Sequence, residues 1–238
     1  MKMNQFLFVV QFLLIIGFGN GLPRFANYFQ DHMVLQRAPQ RAIVWGFGDS
    51  NTLTILRIED KIYTTTSSSQ IENALGESIW SVTLDPVSQE GPFDIHVTQP
   101  SPSGNVTITL HDVLFGDVWI CSGQSNMEMT VSMIFNATEE INNADKYPKI
   151  RLFTATLVSS KKPVEELLNI TLKWSVASAE SVGGPDWQHM SAVCWLYGRM
   201  IQKAIGDRPL GLVATSYGGT AIEHWIPPQA LQDCGIPP

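Results

Sequence analysis

The fold of this chain is decided by residues 117–126, which read Asp117-Val-Trp-Ile-Cys121-Ser-Gly-Gln-Ser125-Asn126. A mostly apolar run of five residues is followed by five small or polar residues, a pattern typical of a buried strand that ends in a turn. A helix is predicted directly afterwards, from Met127 to about Asn143. A strand that enters a helix through a short turn is the repeating unit of a parallel α/β sheet.

The same alternation continues toward the carboxyl terminus. The residue pattern predicts a strand at Ile150–Thr154, a helix at Ser191–Ile205 and a buried strand at Leu210–Thr215, which ends in Gly218-Gly219. In a parallel α/β sheet, reactive groups collect where the carboxyl ends of strands meet the amino ends of helices. We therefore expect the Ser125 turn and the glycine turn to lie at the same edge of the sheet.

The first half of the chain has a different pattern. From Leu22 to about His111, short runs of β-branched and aromatic residues recur about every ten residues, separated by Gly, Pro, Asn and Ser. This spacing predicts a β-sandwich or barrel. The organisation predicted is therefore a leader at 1–21, a β-rich domain at 22–112 and an α/β domain at 113–238.

Residues 1–21 have the composition of a secretory signal peptide, with Lys2, an apolar run at Phe6–Phe18 and the small residues Gly19 and Gly21 near the exit. An apolar run of about 13 residues is too short to cross a bilayer, so no membrane span is expected after signal removal. Three N-glycosylation sequons begin at Asn105, Asn136 and Asn169. We predict a glycoprotein of the secretory pathway, either lysosomal or secreted.

Composition and charge exclude some functions. Hydrophobic residues make up 44% of the chain and charged residues only 16%, which indicates a compact body with a substantial core. There are 15 basic and 22 acidic side chains, and the sequence pI is about 5.2. Because nucleic-acid binding needs a basic surface, nucleic acid is not expected as a partner.

The cysteines and histidines show no spacing typical of metal ligands, so no metal and no other cofactor is expected. Cys121, Cys194 and Cys234 are an odd number. In an oxidising compartment, at least one of these thiols is therefore free or pairs outside the chain.

Ser125 is the candidate nucleophile. A serine hydroxyl in a strand-to-helix turn lies near unpaired backbone N–H groups, which can stabilise negative charge on a reacting carbonyl oxygen. The turn is not the Gly-x-Ser-x-Gly elbow of common α/β-hydrolases, because Met127 stands where the second glycine would be. From these residues alone, a helix N-cap is the favoured interpretation of Ser125.

Residues 114–127, Leu-Phe-Gly-Asp-Val-Trp-Ile-Cys-Ser-Gly-Gln-Ser-Asn-Met, resemble the nucleophile block of GQSN-type carbohydrate esterases, a branch of the SGNH hydrolase superfamily. Further similar stretches occur at 24–26, 33–36, 44–48, 190–196 and 218–225. The resemblance implies an incomplete flavodoxin-like parallel sheet, a partial SGNH esterase domain at 113–238, preceded by a β-sandwich-like domain.

The resemblance also implies a reaction and a site. Ser125 would attack the acetyl ester of an O-acetylated sialic acid, either free or on a glycan. The oxyanion hole would use the N–H of Ser125 and a glycine N–H, with Gly219 preferred over Gly218. His224, next to the glycine block, is a candidate for lining the site.

The family's Asp-x-x-His block follows its glycine block, and no match to it is found after Thr220. The chain is therefore predicted to be a carboxyl-terminally truncated form or a fragment, without the catalytic histidine and aspartate. Asp186-Trp-Gln-His189 has the right letters but precedes the glycine block, and we interpret it as a chance match.

Two alternatives remain open. The chain could be a non-catalytic short form that binds glycans or another protein, or an acetylesterase that acts on a different polysaccharide. Acetate release from O-acetylated sialic acid separates the first alternative, and substrate competition separates the second.

Overall fold

The computed structural model describes residues 21–72, 77–160 and 164–235, so the predicted leader lies outside the described residues apart from Gly21. The strands are β1 (Arg24–Phe25), β2 (Val34–Gln36), β3 (Ile43–Gly48), β4 (Leu53–Ile58), β5 (Lys61–Thr66), β6 (Ser68–Glu72), β7 (Ser78–Thr83), β8 (Phe93–Ser101), β9 (Gly104–Cys121), β10 (Ile150–Ala155), β11 (Ile170–Val176) and β12 (Leu210–Ala214). The α-helices are α1 (Ser125–Glu128), α2 (Ala137–Asn142), α3 (Ala179–Val182), α4 (Ala192–Ala204) and α5 (Pro228–Asp233), and 3₁₀ turns lie at Val131–Met133, Ala144–Lys146 and Ile222–Trp225.

The first half folds as two facing β-sheets. One sheet has the order β1-β3-β7-β6, and the other contains β5, β4, β8 and the first part of β9. Along β8, Phe93, Ile95 and Val97 alternate with more exposed residues, so one face of the strand turns to the core. Trp80 from the opposite sheet is fully buried in the same hydrophobic cluster as Ile95. The β-sandwich-like amino-terminal part is therefore confirmed.

Strand β9 joins this sandwich to the second half. Its first part pairs antiparallel with β8, from Ser101↔Gly104 to Phe93↔Val113. Its last part pairs parallel with β12, from Leu210↔Asp117 to Ala214↔Cys121. The predicted domain boundary between residues 112 and 113 thus falls inside an unbroken strand, and the division into domains stays a prediction.

The second half is an α/β unit. Its strands have the order β11-β10-β12-β9, with parallel pairing between β10 and β12 and between β12 and β9. Helix α4 packs closely on this sheet where Gly198 meets Leu212. There is no room for a side chain at Gly198, since an added Cβ would clash with Leu212 Cδ1. Trp195 of α4 is fully buried. The predicted α/β fold is confirmed, with a sheet that is parallel except for the edge strand β11, which pairs antiparallel with β10.

The single helix predicted from Met127 to about Asn143 is wrong. Helix α1 ends at Glu128, and α2 begins only at Ala137. Between them, Thr130 has an extended backbone and forms an isolated β-bridge with Ser191, while Asn136 has a φ of 58°. Pairing with a distant residue and a left-handed backbone both interrupt a helix, and neither is visible in local periodicity.

In the part of the chain that the structure describes, no helix is long and apolar enough to cross a membrane.

Candidate active site

Ser125 lies in the turn where β9 gives way to α1. Strand β9 ends at Cys121, and Ser125 is the first residue of the helix. Gly123 between them has a φ of 142°, a backbone conformation that residues with a Cβ rarely adopt. This glycine lets the chain reverse tightly, and it leaves Ser125 half-buried at the carboxyl end of the strand.

The hydroxyl of Ser125 donates a hydrogen bond to its own neighbour. Ser125 Oγ lies 2.6 Å from Gln124 Oε1, and the Ser125 N–H donates to the same oxygen at 3.2 Å. The backbone N–H and the hydroxyl of Ser125 therefore converge on one oxygen atom. The Gln124 side chain has to move before an acyl oxygen can take that position.

The loop after β12 lies directly against the serine turn. Thr215 N–H donates to Cys121 O at 3.1 Å, and Tyr217 N–H donates to Gly123 O at 2.8 Å. The hydroxyls of Ser122 and Thr215 are 2.8 Å apart. The two turns that the sequence predicted to share an edge of the sheet are therefore in contact, because β9 and β12 are parallel neighbours.

The two glycines of this loop are in different environments. Gly218 N–H donates to the carboxylate of Glu128, and a Cβ on Gly218 would lie 2.6 Å from Glu128 Oε2. Gly219 has a φ of 75° and open space around it. Among the described residues, the Gly219 N–H has no hydrogen-bond acceptor.

All five histidines lie among the described residues, and none of them is hydrogen-bonded to Ser125. His224 is exposed, and its Nδ1 lies 3.1 Å from the backbone nitrogen of Ala221. The three histidines of the β-rich half are hydrogen-bonded to other residues: His32 to Asp112, His96 to Thr109 and His111 to Asp94.

Asp186 and His189 do not pair with each other as an acid and a base. Asp186 accepts a hydrogen bond from Ser132 Oγ at 2.7 Å. His189 Nδ1 is buried and has no hydrogen-bond partner among the described residues. Burial lowers the pKa of His189 below its ordinary value, which favours a neutral ring.

A cleft of about 240 Å³ opens beside the glycine turn. It lies at the carboxyl ends of β10 and β12, and one side is formed by Glu128. Its lining residues are Glu128, Thr154, Ala155, Thr156, Leu157, Thr171, Trp187, Gln188, His189 and Ser216. The set combines four hydroxyls with one amide, one carboxylate, one imidazole and one tryptophan, which suits a polar, ring-shaped ligand.

Glu128 is a residue of the site that was not predicted from the sequence. It stands three residues after Ser125. Residues three apart in a helix lie on the same face, so this spacing would have placed a carboxylate beside the serine. Its partner Gly218 is 90 residues away, and that contact has no local signal.

The three sequon asparagines are all exposed. Asn105 lies within β9, Asn136 directly precedes α2, and Asn169 directly precedes β11. The described residues contain no cluster of three or more His, Cys, Asp or Glu side chains arranged for a metal ion.

A disulfide joins Cys121 to Cys194, with a Cα–Cα distance of 5.8 Å, and Cys234 is an exposed free thiol. The bond ties the end of β9 to the first turn of α4, next to the serine turn. A chromogenic thiol reagent is expected to titrate one thiol per chain in protein unfolded without reductant, and three in protein unfolded with reductant. Three reactive thiols without reductant would contradict the pairing.

Comparison with known proteins places this geometry in a family. The family model for carbohydrate esterases of the sialic acid-specific acetylesterase type matches residues 115–234. The sialate O-acetylesterase of Mus musculus is 41% identical over 217 residues, covering 90% of this chain and 39% of that protein. The sialate O-acetylesterase of Homo sapiens is also 41% identical, over 90% of this chain and 40% of that protein. The chain thus spans about 40% of the length of these curated relatives.

A solved structure agrees with the sequence comparison. A carbohydrate acetylesterase from Xanthomonas citri superposes with a TM-score of 0.74 and 26% identity, covering 88% of this chain and 43% of that one. The model match includes the serine turn, the cleft residues and the glycine turn. The chain belongs to the sialic acid-specific acetylesterase family of carbohydrate esterases.

Proposed function

We propose that this chain carries the nucleophile and oxyanion hole of an ester hydrolase that removes O-acetyl groups from sialic acids. The observation that carries the proposal is the direct contact between the Ser125 turn and the glycine turn through Tyr217 N–H and Gly123 O. It brings a hydroxyl nucleophile close to a loop that has a free backbone N–H.

In the proposed reaction, Ser125 Oγ attacks the acetyl carbonyl carbon and gives up its proton to a base. The carbonyl oxygen becomes an oxyanion, which the N–H groups of Ser125 and Gly219 stabilise. The C–O bond to the sugar then breaks, and the sugar oxygen takes up a proton. Water hydrolyses the acetyl-serine, so that acetate leaves and Ser125 regains its hydroxyl.

Removal of the proton from Ser125 Oγ is the step of the reaction that has the least support in this structure. Ser125 Oγ donates to Gln124, and no histidine accepts its proton. A serine without a base is a weak nucleophile, although an oxyanion hole by itself retains some catalysis. We therefore expect slow acetate release from this chain. We also propose, as the sequence predicts, that the catalytic histidine and aspartate belong to another segment.

Acetate release from O-acetylated sialic acid and from acetylated xylan tests the proposal, with the Mus musculus relative as positive control. We expect acetate release from the O-acetylated sialic acid at a lower rate than with the relative. Free O-acetylated sialic acid should compete with the other substrates for the site. Release from xylan alone would favour an esterase for another polysaccharide.

A second function is favoured by the absence of a histidine contact to Ser125. It is a glycan-binding module that retains the site without turnover. Binding of O-acetylated sialic acid with no acetate release above background, under conditions where the relative is active, would replace the esterase by this function.

Export through the secretory pathway, to lysosome or medium, is also proposed. We expect N-linked glycans on Asn136 and Asn169, which are exposed outside strands, and less complete occupancy at Asn105 within β9. Glycosidase treatment of protein from a eukaryotic secretory host should lower its mass, and replacement of each asparagine by glutamine should remove one step. Protein with unchanged mass after treatment would contradict this prediction.

A further inference from the structure

We propose that Glu128 is a positioning residue of the esterase site: by accepting the Gly218 N–H, its side chain holds the glycine turn so that the Gly219 N–H faces the reacting carbonyl. This inference rests on the proposed function, because it concerns the same oxyanion hole. Glu128 itself does not contact the reacting atoms in this scheme.

Glu128 links the serine turn to the glycine turn. It is in the same short helix as Ser125, three residues later, so both side chains emerge on one face. Glu128 is half-buried and forms part of the cleft wall beside Ser216. It therefore connects the element that carries the nucleophile to the loop that carries the glycines.

Among the described residues, the glycine loop has acceptors for two of three consecutive backbone N–H groups. These three N–H groups belong to Tyr217, Gly218 and Gly219. The first donates to Gly123 O at 2.8 Å, and the second donates to the Glu128 carboxylate. Among the described residues, the third has no acceptor. Two fixed amides therefore set the orientation of the free one.

Each of the two successive glycines is favoured for a different structural reason. At Gly218, a Cβ would lie 2.6 Å from Glu128 Oε2 and 3.5 Å from Glu128 Cδ, so a side chain there would push Glu128 away. At Gly219, a Cβ would meet no atom within 4 Å, but the φ of 75° favours glycine. Gly218 thus permits the approach of Glu128, and Gly219 permits the turn that follows.

The rate of the chemical step depends on the donor that stabilises the oxyanion. A donor that is placed only for the oxyanion stabilises the transition state and not the bound substrate. Loss of one such donor costs about 10²–10³ in rate. Removal of Glu128 should therefore slow the chemical step and leave substrate affinity nearly unchanged.

A serine-directed fluorophosphonate provides the kinetic test in the 238-residue chain. In this reaction Ser125 Oγ displaces fluoride from phosphorus, and the hydroxyl proton is released to solvent. We expect Glu128→Ala to lower the maximal labelling rate about 100-fold with less than about a threefold change in the half-saturating concentration. Glu128→Gln, which retains an acceptor oxygen at the same distance along the side chain, should restore the rate to within about tenfold. Glu139→Ala, an exposed glutamate of α2, is the matched control and should leave both constants unchanged.

The amide proton of Gly218 gives a readout independent of chemistry. A hydrogen bond to a carboxylate shifts an amide proton downfield, so Glu128→Ala should move the Gly218 and Gly219 resonances while amides of the β-sandwich keep theirs. Unchanged Gly218 and Gly219 resonances would overturn the proposal, as would an unchanged labelling rate in Glu128→Ala.

The two proposals fail in different ways. If wild-type Ser125 is not labelled and no acetate is released, the proposed function fails, whereas the resonances still decide whether Glu128 holds the turn. If Ser125→Ala loses labelling but Glu128→Ala labels normally, the esterase stands and the role of Glu128 is wrong.

Discussion

Replacement of Ser125 by alanine is expected to abolish covalent labelling by a fluorophosphonate and to remove esterase turnover. The substitution deletes the attacking oxygen and one hydrogen bond, to Gln124 Oε1, and Ser125 is not one of the buried residues. Loss of a serine nucleophile in an enzyme with an intact base costs about 10⁶ in kcat. Mass spectrometry of the peptide that contains residue 125, with acetate release measured in parallel, checks both outcomes.

The size of the loss in acetate release depends on the base. Effects of residues that act together are not additive, so removal of the serine costs much less wherever no base accepts its proton. Labelling is therefore the decisive measurement for this chain. Ser122→Ala is the matched control, because Ser122 is in the same turn but its hydroxyl bonds to Thr215. Equal labelling of wild type and Ser125→Ala would end the assignment of the nucleophile.

Replacement of Arg151 by alanine is expected to destabilise the protein by about 3–5 kcal/mol. The Arg151 side chain is only 7% exposed, and it donates to both carboxylate oxygens of Asp112, at 2.6 and 3.2 Å. It also donates to His32 O at 3.2 Å. Arg151 lies on β10, and Asp112 lies in the middle of β9, so the variant removes the guanidinium partner of a largely buried carboxylate where the sandwich meets the parallel sheet and leaves it only the contact with His32.

Urea unfolding measures this effect. Arg41→Ala is the control, since the Arg41–Asp85 ion pair is more than half exposed on both sides and contributes less than about 1 kcal/mol. For a chain of this size the loss at Arg151 corresponds to a decrease in Tm of about 10 °C. Arg151→Ala that unfolds at the same urea concentration as Arg41→Ala would show that the ion pair does not hold the junction.

The same pair gives the protein an acid-dependent stability. Burial by itself would raise the pKa of Asp112, but the hydrogen bonds from Arg151 and His32 outweigh it and hold the pKa below its ordinary value of 3.8. A carboxylate with a lowered pKa contributes stability that is present above the unfolded value and is lost as the pH falls through the folded value. Asp112→Asn should therefore remove part of the decrease in unfolding free energy below about pH 4. Asparagine tolerates the φ of 54° at this position.

Local sequence determined the elements whose boundaries depend on their own residues. The expected strand at Ile150–Thr154 is β10 at Ile150–Ala155, and the expected helix at Ser191–Ile205 is α4 at Ala192–Ala204. Ser191 starts that helix by accepting a hydrogen bond from Cys194 N, which is a local contact. Because these signals lie within a few residues of one another, they can be read from the chain alone.

The sequence also placed the serine turn and the glycine turn at one edge of the sheet. That inference needed only the rule that parallel strands present their carboxyl ends together. It did not need the strand order, in which β12 lies between β10 and β9. The resemblance over residues 114–127 gave Ser125 its chemical role as a prediction.

Tertiary structure alone decided the contacts between residues far apart in the chain. The pairing of Thr130 with Ser191 breaks the expected helix, Cys121 reaches Cys194 across 73 residues, and Glu128 reaches Gly218 across 90. Each of these contacts exists because β9, β12 and α4 pack together, and the free energy of that packing comes from buried groups in all three elements. Local propensity describes one segment at a time, so it predicts the elements and the edge of the sheet, whereas the partners of individual side chains follow only from the packed arrangement.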